Sequence, residues 1–407
     1  MRCECVPHHS DENGSSTHRC MRIAWVLLAE ITQLWSGLTM SSIALFALAG
    51  TSLALALHAF VTYPLSLYLL RRWQRAAQVP VKWLRPVPAT RHALCLYATE
   101  ATGLPRPMLD QLRTLRQRYP RLQMLLCADG ELPALAEAGE ALAACRVEVC
   151  ATPMVRGKSH AMNLLARRTP ADVLVFANAG VALDAQLIDK LEAHFADREI
   201  GCVCATLEAA PGDGALLGYR RIDAWIRALE SDTGSTVGAN GSLFAVRAAL
   251  YHPAPDHALH DMYVSLMVLC GGHRVVCAGD LRVQPVPAGR GATFRLRRDM
   301  AYNALCVHRL MWSMLARLDA LTLYKYVSHK LLRWFSGYLV AVALGSVVIG
   351  QALSGHFMPA AVLASGVALV WVLGEQLRLP PFAQAFDALS ALGGTGLGAA
   401  HALLHPR

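Results

Sequence analysis

Three polar turns carry the residues of this chain best suited to chemistry: Thr99-Glu100, Asp129-Gly130 and Asn178-Ala179-Gly180. Each follows a short apolar run, residues 93–97, 122–127 and 173–176, so a carboxylate or an amide ends each buried run. An ionised carboxylate there accepts hydrogen bonds, whereas an amide oxygen offers neutral lone pairs. Two further groups stand out by their setting. Lys158 opens a helical pattern after Arg156-Gly157. The helix dipole repels cations at that end, which disfavours a lysine that merely meets solvent. Asp261 stands ahead of apolar residues 264–269, where it suits a helix N-cap. Gly238-Ala239-Asn240-Gly241 reads as a tight turn.

The elements that must position these groups follow from periodicity. Residues 93–97, 122–127, 146–150, 173–176 and 200–206 read as strands. Residues 106–118, 157–168 and 185–196 read as helices, with Leu183-Asp184 placed to cap the last. Such alternation predicts an α/β domain with a mostly parallel sheet covered on both faces. Ligands of these sheets bind beyond the carboxyl ends of the strands. The three polar turns therefore converge where a nucleotide would lie.

Two long stretches, residues 31–70 and 334–374, contain no Asp, Glu, Lys or Arg. A membrane span takes about 20 apolar residues, so the first holds one span and the second two. The second is interrupted by Gly350-Gln-Ala-Leu-Ser-Gly-His356, which suits a turn between antiparallel helices. Arg71, Arg72 and Arg75 close the first stretch; Lys325, Lys330 and Arg333 open the second, and Arg378 follows it. The positive-inside rule puts these clusters in the cytoplasm. The expected layout begins with an N-terminal segment 1–40, disordered, or in part untranslated if the chain starts at Met21 or Met40. A span follows at 41–70, then a cytoplasmic domain at 71–333, two spans at 334–376, and an apolar segment at 377–407 that either spans or lies in the interface.

The formal net charge of +9 suits anionic lipid and phosphorylated substrates. Without a basic helix interleaved with aromatics, no nucleic-acid partner is expected. The 12 cysteines form no disulfide framework: Cys95, Cys127, Cys202, Cys204 and Cys277 sit in apolar, strand-like runs as small hydrophobes. Cys3, Cys5, His8, His9, His18 and Cys20 are the only group with a metal-binding look. The apolar stretches hold no acidic or basic residue to mark a transport pathway.

Three segments give the chain a resemblance to membrane-bound family-2 glycosyltransferases, the group of cellulose- and hyaluronan-synthase-like enzymes. They are Arg156-Gly-Lys-Ser-His-Ala-Met-Asn163, residues 229–247 around Gly238-Ala-Asn-Gly241, and Ser328-His-Lys-Leu-Leu-Arg-Trp334. The resemblance implies a GT-A-like domain flanked by transmembrane helices in the inner membrane. It implies inverting transfer of a sugar from a nucleotide-sugar donor to a glycan or lipid acceptor, within polysaccharide synthesis and its partner proteins. It makes Asp261 the catalytic base that takes the acceptor's proton, a role worth roughly a hundred- to ten-thousand-fold. It places Glu100, Asp129, Lys158, Asn178, Gly238, Asn240, Gly241, Arg297 and Arg298 at the donor, with Asp129 on the base and Lys158 near the diphosphate. It also implies Mg or Mn on that diphosphate.

The chain departs from the pattern at four places. Asn178 and Gly180 replace the Asp-x-Asp turn that holds the metal, leaving Asn178 as a weak neutral ligand. His260 replaces the first acid of an Asp-Asp pair, and Asp299 falls where relatives carry an arginine. The counter-charge for the leaving diphosphate then has to come from Lys158, Arg156 and residues 295–298, or from a weakly held metal. The alternative reading is a catalytically degenerate relative that binds a nucleotide or a partner enzyme.

Overall fold

The computed structural model describes residues 40–76, 90–100, 102–208, 216–284, 292–371 and isolated positions between 393 and 401. The N-terminal cysteine and histidine group and the expected 377–407 segment, those isolated positions aside, lie outside the described residues. The chain divides into two compact units, residues 40–53 with 340–369, and residues 54–339.

Two helices open the described chain, α1 (Met40–Leu57) and α2 (Tyr63–Ala76), joined by a π-helical turn at His58–Thr62. Seven strands follow: β1 (His92–Ala98), β2 (Gln123–Asp129), β3 (Val147–Thr152), β4 (Val173–Asn178), β5 (Ile200–Leu207), β6 (Leu243–Arg247) and β7 (Arg274–Val283). They form one sheet in the order β3-β2-β1-β4-β6-β5-β7. Pairings among β1 to β4, and β5 with β7, are parallel, whereas β6 runs antiparallel to both β4 and β5.

Helices α3 (Arg106–Arg118), α4 (Ala134–Ala144), α5 (Lys158–Ala166), α6 (Leu187–Phe195), α7 (Leu216–Asp232) and α8 (His260–Cys270) accompany the strands. Local sequence explains α3 well. Pro107 sits in its first turn, Arg116 and Arg118 complement the dipole in its last, and Met108, Leu112 and Leu115 bury one face. The inner strands β1, β2, β4 and β5 bury both faces, as a sheet between helices requires, whereas the edge strand β3 exposes Glu148, Val149 and Ala151. Leu94, Leu96 and Ala98 of β1 enter one core with Met108, Leu112 and Leu115, while Ala93 and Cys95 enter the other with Met162, Leu165 and Phe176. Asp184 does not cap α6 as expected. Its Oδ1 accepts from Gln186 N at 2.7 Å, ahead of the helix start at Leu187.

The last described elements are α9 (Ala292–Leu315), α10 (Ala320–Tyr326), a second π-helical turn at Val327–Leu331, α11 (Leu332–Leu353) and α12 (Phe357–Trp371). Among the described residues, two continuous helices, Met40–Gln74 and Ala320–Leu353, are long and apolar enough to cross a membrane. Within the smaller unit, Ile43, Leu48, Leu53, Ile349, Phe357 and Met358 are exposed. Gly350 lets the Phe46 ring approach: a Cβ there would lie 3.1 Å from it.

Candidate active site

The carboxyl ends of β1, β2 and β4 lie side by side, with Ala98 paired to Ala128 and Tyr97 to Asn178. Asp129 is the organiser of this edge. Its Oδ1 accepts from Arg156 N at 2.8 Å and Thr152 Oγ1 at 3.0 Å; its Oδ2 accepts from Gly157 N at 2.9 Å and Tyr97 Oη at 3.0 Å. Burial raises this carboxyl, but the four donors outweigh it and hold its pKa below the usual range. With two acceptances per oxygen the carboxylate is saturated by the protein itself. Its expected contact with a nucleotide base would therefore have to displace one of these donors.

What Asp129 holds is the turn that starts α5. Gly157 caps the helix at φ +91°, a left-handed conformation that favours glycine. Along α5, Ser159 Oγ donates to Ala258 O at 2.7 Å and Asn163 Nδ2 to Ala254 O at 2.7 Å. Tyr251 Oη and Ala254 N donate in turn to Asn163 Oδ1. The polar residues of the Arg156–Asn163 segment thus clamp the loop that delivers α8, and with it Asp261.

Asp261 lies in the first turn of α8, 8% exposed, but Leu259 occupies the N-cap, so the expected capping role is not the one it plays. Among the described residues no hydrogen-bond donor meets its carboxylate. A Cβ built on Gly241 would stand 3.0 Å from Asp261 Oδ1 and 3.3 Å from Lys158 Nζ. Glycine at 241 is what lets carboxylate and ammonium reach the same turn. Lys158 itself donates to Gly241 O. Burial pushes its pKa down, and the Asp261 charge opposes that.

The Gly238–Gly241 turn is held from every side. Arg227 Nη1 donates to Gly238 O at 2.7 Å and Ala239 N to Ser265 Oγ at 3.0 Å. Asn240 is buried; its amide donates to Ala205 O and accepts from Ser242 N at 2.9 Å. Asn240 therefore shapes the turn from within. Ser242 O accepts from Asn178 N at 3.1 Å, which joins the turn to the end of β4.

Asn178 Oδ1 is buried without a hydrogen-bond partner, the one observation at this turn that fits a cation. Gly180, at φ +86°, contributes no side chain. Among the described residues no three His, Cys, Asp or Glu side chains gather to hold a metal ion. The donor set fits a divalent cation carried mainly by phosphate oxygens, with one neutral amide oxygen from the protein.

The other predicted residues are not brought together here. Glu100 is exposed in the turn after β1. Arg298 is exposed and pairs with its neighbour Asp299 at 2.9 Å; the Arg297 side chain lies outside what is described. His260 packs in the core, 2% exposed and edge-on to Phe176 at 4.9 Å between ring centres. Burial and the Lys158 charge push its pKa down to about 3, so it is a neutral core residue.

Sequence reading missed a buried charge network behind the turn. Asp223 of α7 pairs with Arg227 at 2.8 Å, His329 at 3.1 Å and Arg333 at 2.6 Å. Glu230 accepts from Tyr63 Oη and from Thr236 Oγ1 at 2.7 Å, and meets His329 Nδ1 at 2.7 Å. Lys325 Nζ donates to the carbonyls of Glu230, Thr233 and Ser235. Burial raises Glu230, but His329, Tyr63 and Thr236 outweigh it and hold the carboxyl at about 2. A signal existed. Asp223, Arg227 and Glu230 fall at i, i+4 and i+7, and Lys325, His329 and Arg333 at i, i+4 and i+8.

No protein-family model and no curated protein matches the chain in sequence. Among solved structures, the mannosyltransferase PcManGT from Pyrobaculum calidifontis, in complex with GDP-Man and Mn2+, is similar with a TM-score of 0.68. The identity is 18%, over 89% of this chain and 100% of that one. The fold is GT-A-like. S. aureus TarS 1–349 in complex with UDP-GlcNAc is similar with a TM-score of 0.43 at 10% identity, over 78% of this chain and 93% of that one. Glucosyl-3-phosphoglycerate synthase from Mycobacterium tuberculosis has a TM-score of 0.39 at 12% identity, over 55% and 78%.

Proposed function

We propose that this chain is an inverting glycosyltransferase of the family-2 type, moving a sugar from a nucleotide-sugar donor to a glycan or lipid acceptor. The observation that carries the reading is the Asp261 carboxylate, free of hydrogen-bond donors and held against Gly241 beside Lys158. It lies beyond the carboxyl ends of β1, β2 and β4, where such sheets bind ligands. The GT-A-like fold shared with a nucleotide-sugar-binding mannosyltransferase supports it.

In the proposed step the acceptor hydroxyl oxygen attacks the anomeric carbon from the face opposite the donor phosphate. Asp261 takes the hydroxyl proton as the new C–O bond forms. The bond from the anomeric carbon to the phosphate oxygen breaks, and its electron pair leaves with the nucleoside diphosphate. Lys158 meets part of that developing charge. Mg or Mn carried by the phosphates, with Asn178 Oδ1 as one ligand, would supply further polarisation of the leaving group.

The two long apolar helices support a membrane setting; the reading itself puts the sheet domain on the cytoplasmic face of the inner membrane, with polysaccharide-synthesis proteins as partners. The loss of carboxylates at residues 178 and 180 favours the second reading, a degenerate relative that binds donor or partner without turnover. Release of nucleoside diphosphate by the full chain in lipid nanodiscs, against a panel of nucleotide sugars and with native membranes as acceptor, separates the two. Release from at least one donor is expected. Binding without release from any donor would establish the second reading.

A further inference from the structure

Behind the Gly238–Gly241 turn the charges do not balance. Asp223 is matched by Arg227, His329 and Arg333, and Glu230 by His329, Tyr63 and Thr236. Lys325 is consumed by three backbone carbonyls. Lys330 remains. It sits in the π-helical turn Val327–Leu331, a distortion that recurs at functional sites. A Cβ built on Gly238 would lie 3.3 Å from both Lys330 Cε and Nζ. Among the described residues the Lys330 ammonium has no hydrogen-bond acceptor and no ion-pair partner. Lys158 reaches the other end of the same turn, at Gly241.

A half-buried ammonium without an acceptor is costly unless an anion completes it. This ammonium and that of Lys158, whose acceptor is the Gly241 carbonyl, bracket one four-residue turn, and the neighbouring residues 178 and 180 bring no carboxylate to recruit a cation. We propose that Lys330 is a further donor-binding residue, whose ammonium, with that of Lys158, binds the diphosphate of a nucleoside diphosphate sugar and carries most of its counter-charge. This rests on the transferase reading above. As the bond from the anomeric carbon to the phosphate oxygen breaks, the electron pair stays on the diphosphate and the two ammonium groups neutralise it. Neither lysine gives up a proton. Arg227 supports the arrangement by holding Gly238 O, and Gly238, at φ +133°, leaves room for the lysine stem.

The test is equilibrium binding to the full chain in nanodiscs, with UDP and GDP as probes and uridine and guanosine as their phosphate-free counterparts. In EDTA the wild type should bind one nucleotide about tenfold or more tighter than its nucleoside. Lys330→Gln should lose about tenfold for the nucleotide and nothing for the nucleoside, while Lys330→Arg should recover most of the loss. Thermal melting of each variant checks its folding. If Lys330→Gln binds the nucleotide as the wild type does, the inference falls and the transferase reading stands. The inference falls in the same way if the wild type's preference for nucleotide vanishes in EDTA and returns with Mn, a measurement that needs no variant. If no nucleotide binds the wild type in any medium, the transferase reading itself falls and takes this inference with it.

Discussion

At the scale of single residues, the site is built from groups that face one another across glycines. A Cβ at 241 would press on Asp261 Oδ1 at 3.0 Å and Lys158 Nζ at 3.3 Å. Gly241→Ala should therefore fold with a nearly unchanged Tm yet lose about a hundredfold in turnover, since small displacements of reacting groups are expensive. Turnover within twofold of wild type would show that this gap is not where the acceptor is positioned. The metal turn gives a second prediction. Asn178→Asp with Gly180→Asp should convert weak, nucleotide-dependent Mn binding into binding measurable by calorimetry without nucleotide. An unchanged titration would mean that the Asn178 oxygen does not face the phosphates. Asp129, Lys158 and Asp261 were legible as candidates because each ends or begins an element whose period is plain. Their partners were not. That four protein donors saturate Asp129 depends on a turn 27 residues further along the chain, and no local pattern encodes such a meeting.

At the scale of elements, α7 and the π-helical turn before α11 carry the buried network that supports the Gly238–Gly241 turn. The ordinary pKa of Glu230 is 4.5 and its folded value about 2. Its stabilising contribution is thus complete above pH 4.5 and is lost as the pH falls toward 2. Glu230→Gln should melt lower at pH 7, by about 3–5 kcal/mol of stability because it leaves His329 and Tyr63 mispaired. It should also lose less on acidification from pH 5 to pH 3. Parallel Tm-against-pH curves for variant and wild type would contradict this. Several elements were readable in advance: α3 falls on residues 106–118 as expected, and β4 extends the 173–176 run by two residues. Helix α4 was not read, because its Ala-rich stretch has no strong apolar period. Strands β6 and β7 were not read either, and the antiparallel direction of β6 was hidden with them. Apolar alternation reports which faces are buried, and both directions bury the same faces.

At the scale of the molecule, the chain combines a GT-A-like sheet domain with long apolar helices before and after it in sequence. The cations that oriented the chain in sequence turn out to have other work. Lys325 and Arg333 are buried and committed to carbonyls and to Asp223. The proposed cytoplasmic placement is checked by thiol labelling of Glu131→Cys, an exposed position beside the Asp129-Gly130 turn. In intact cells an impermeant maleimide should leave it unmodified until the membrane is opened. Labelling from outside would reverse the topology. The most direct measurement of all concerns Asp261→Asn in the full chain. Asparagine keeps the size of the side chain but cannot take a proton, so nucleotide affinity and Tm should hold while transfer falls at least about a hundredfold. Transfer at the wild-type rate by Asp261→Asn would contradict the assignment of this carboxylate as the base.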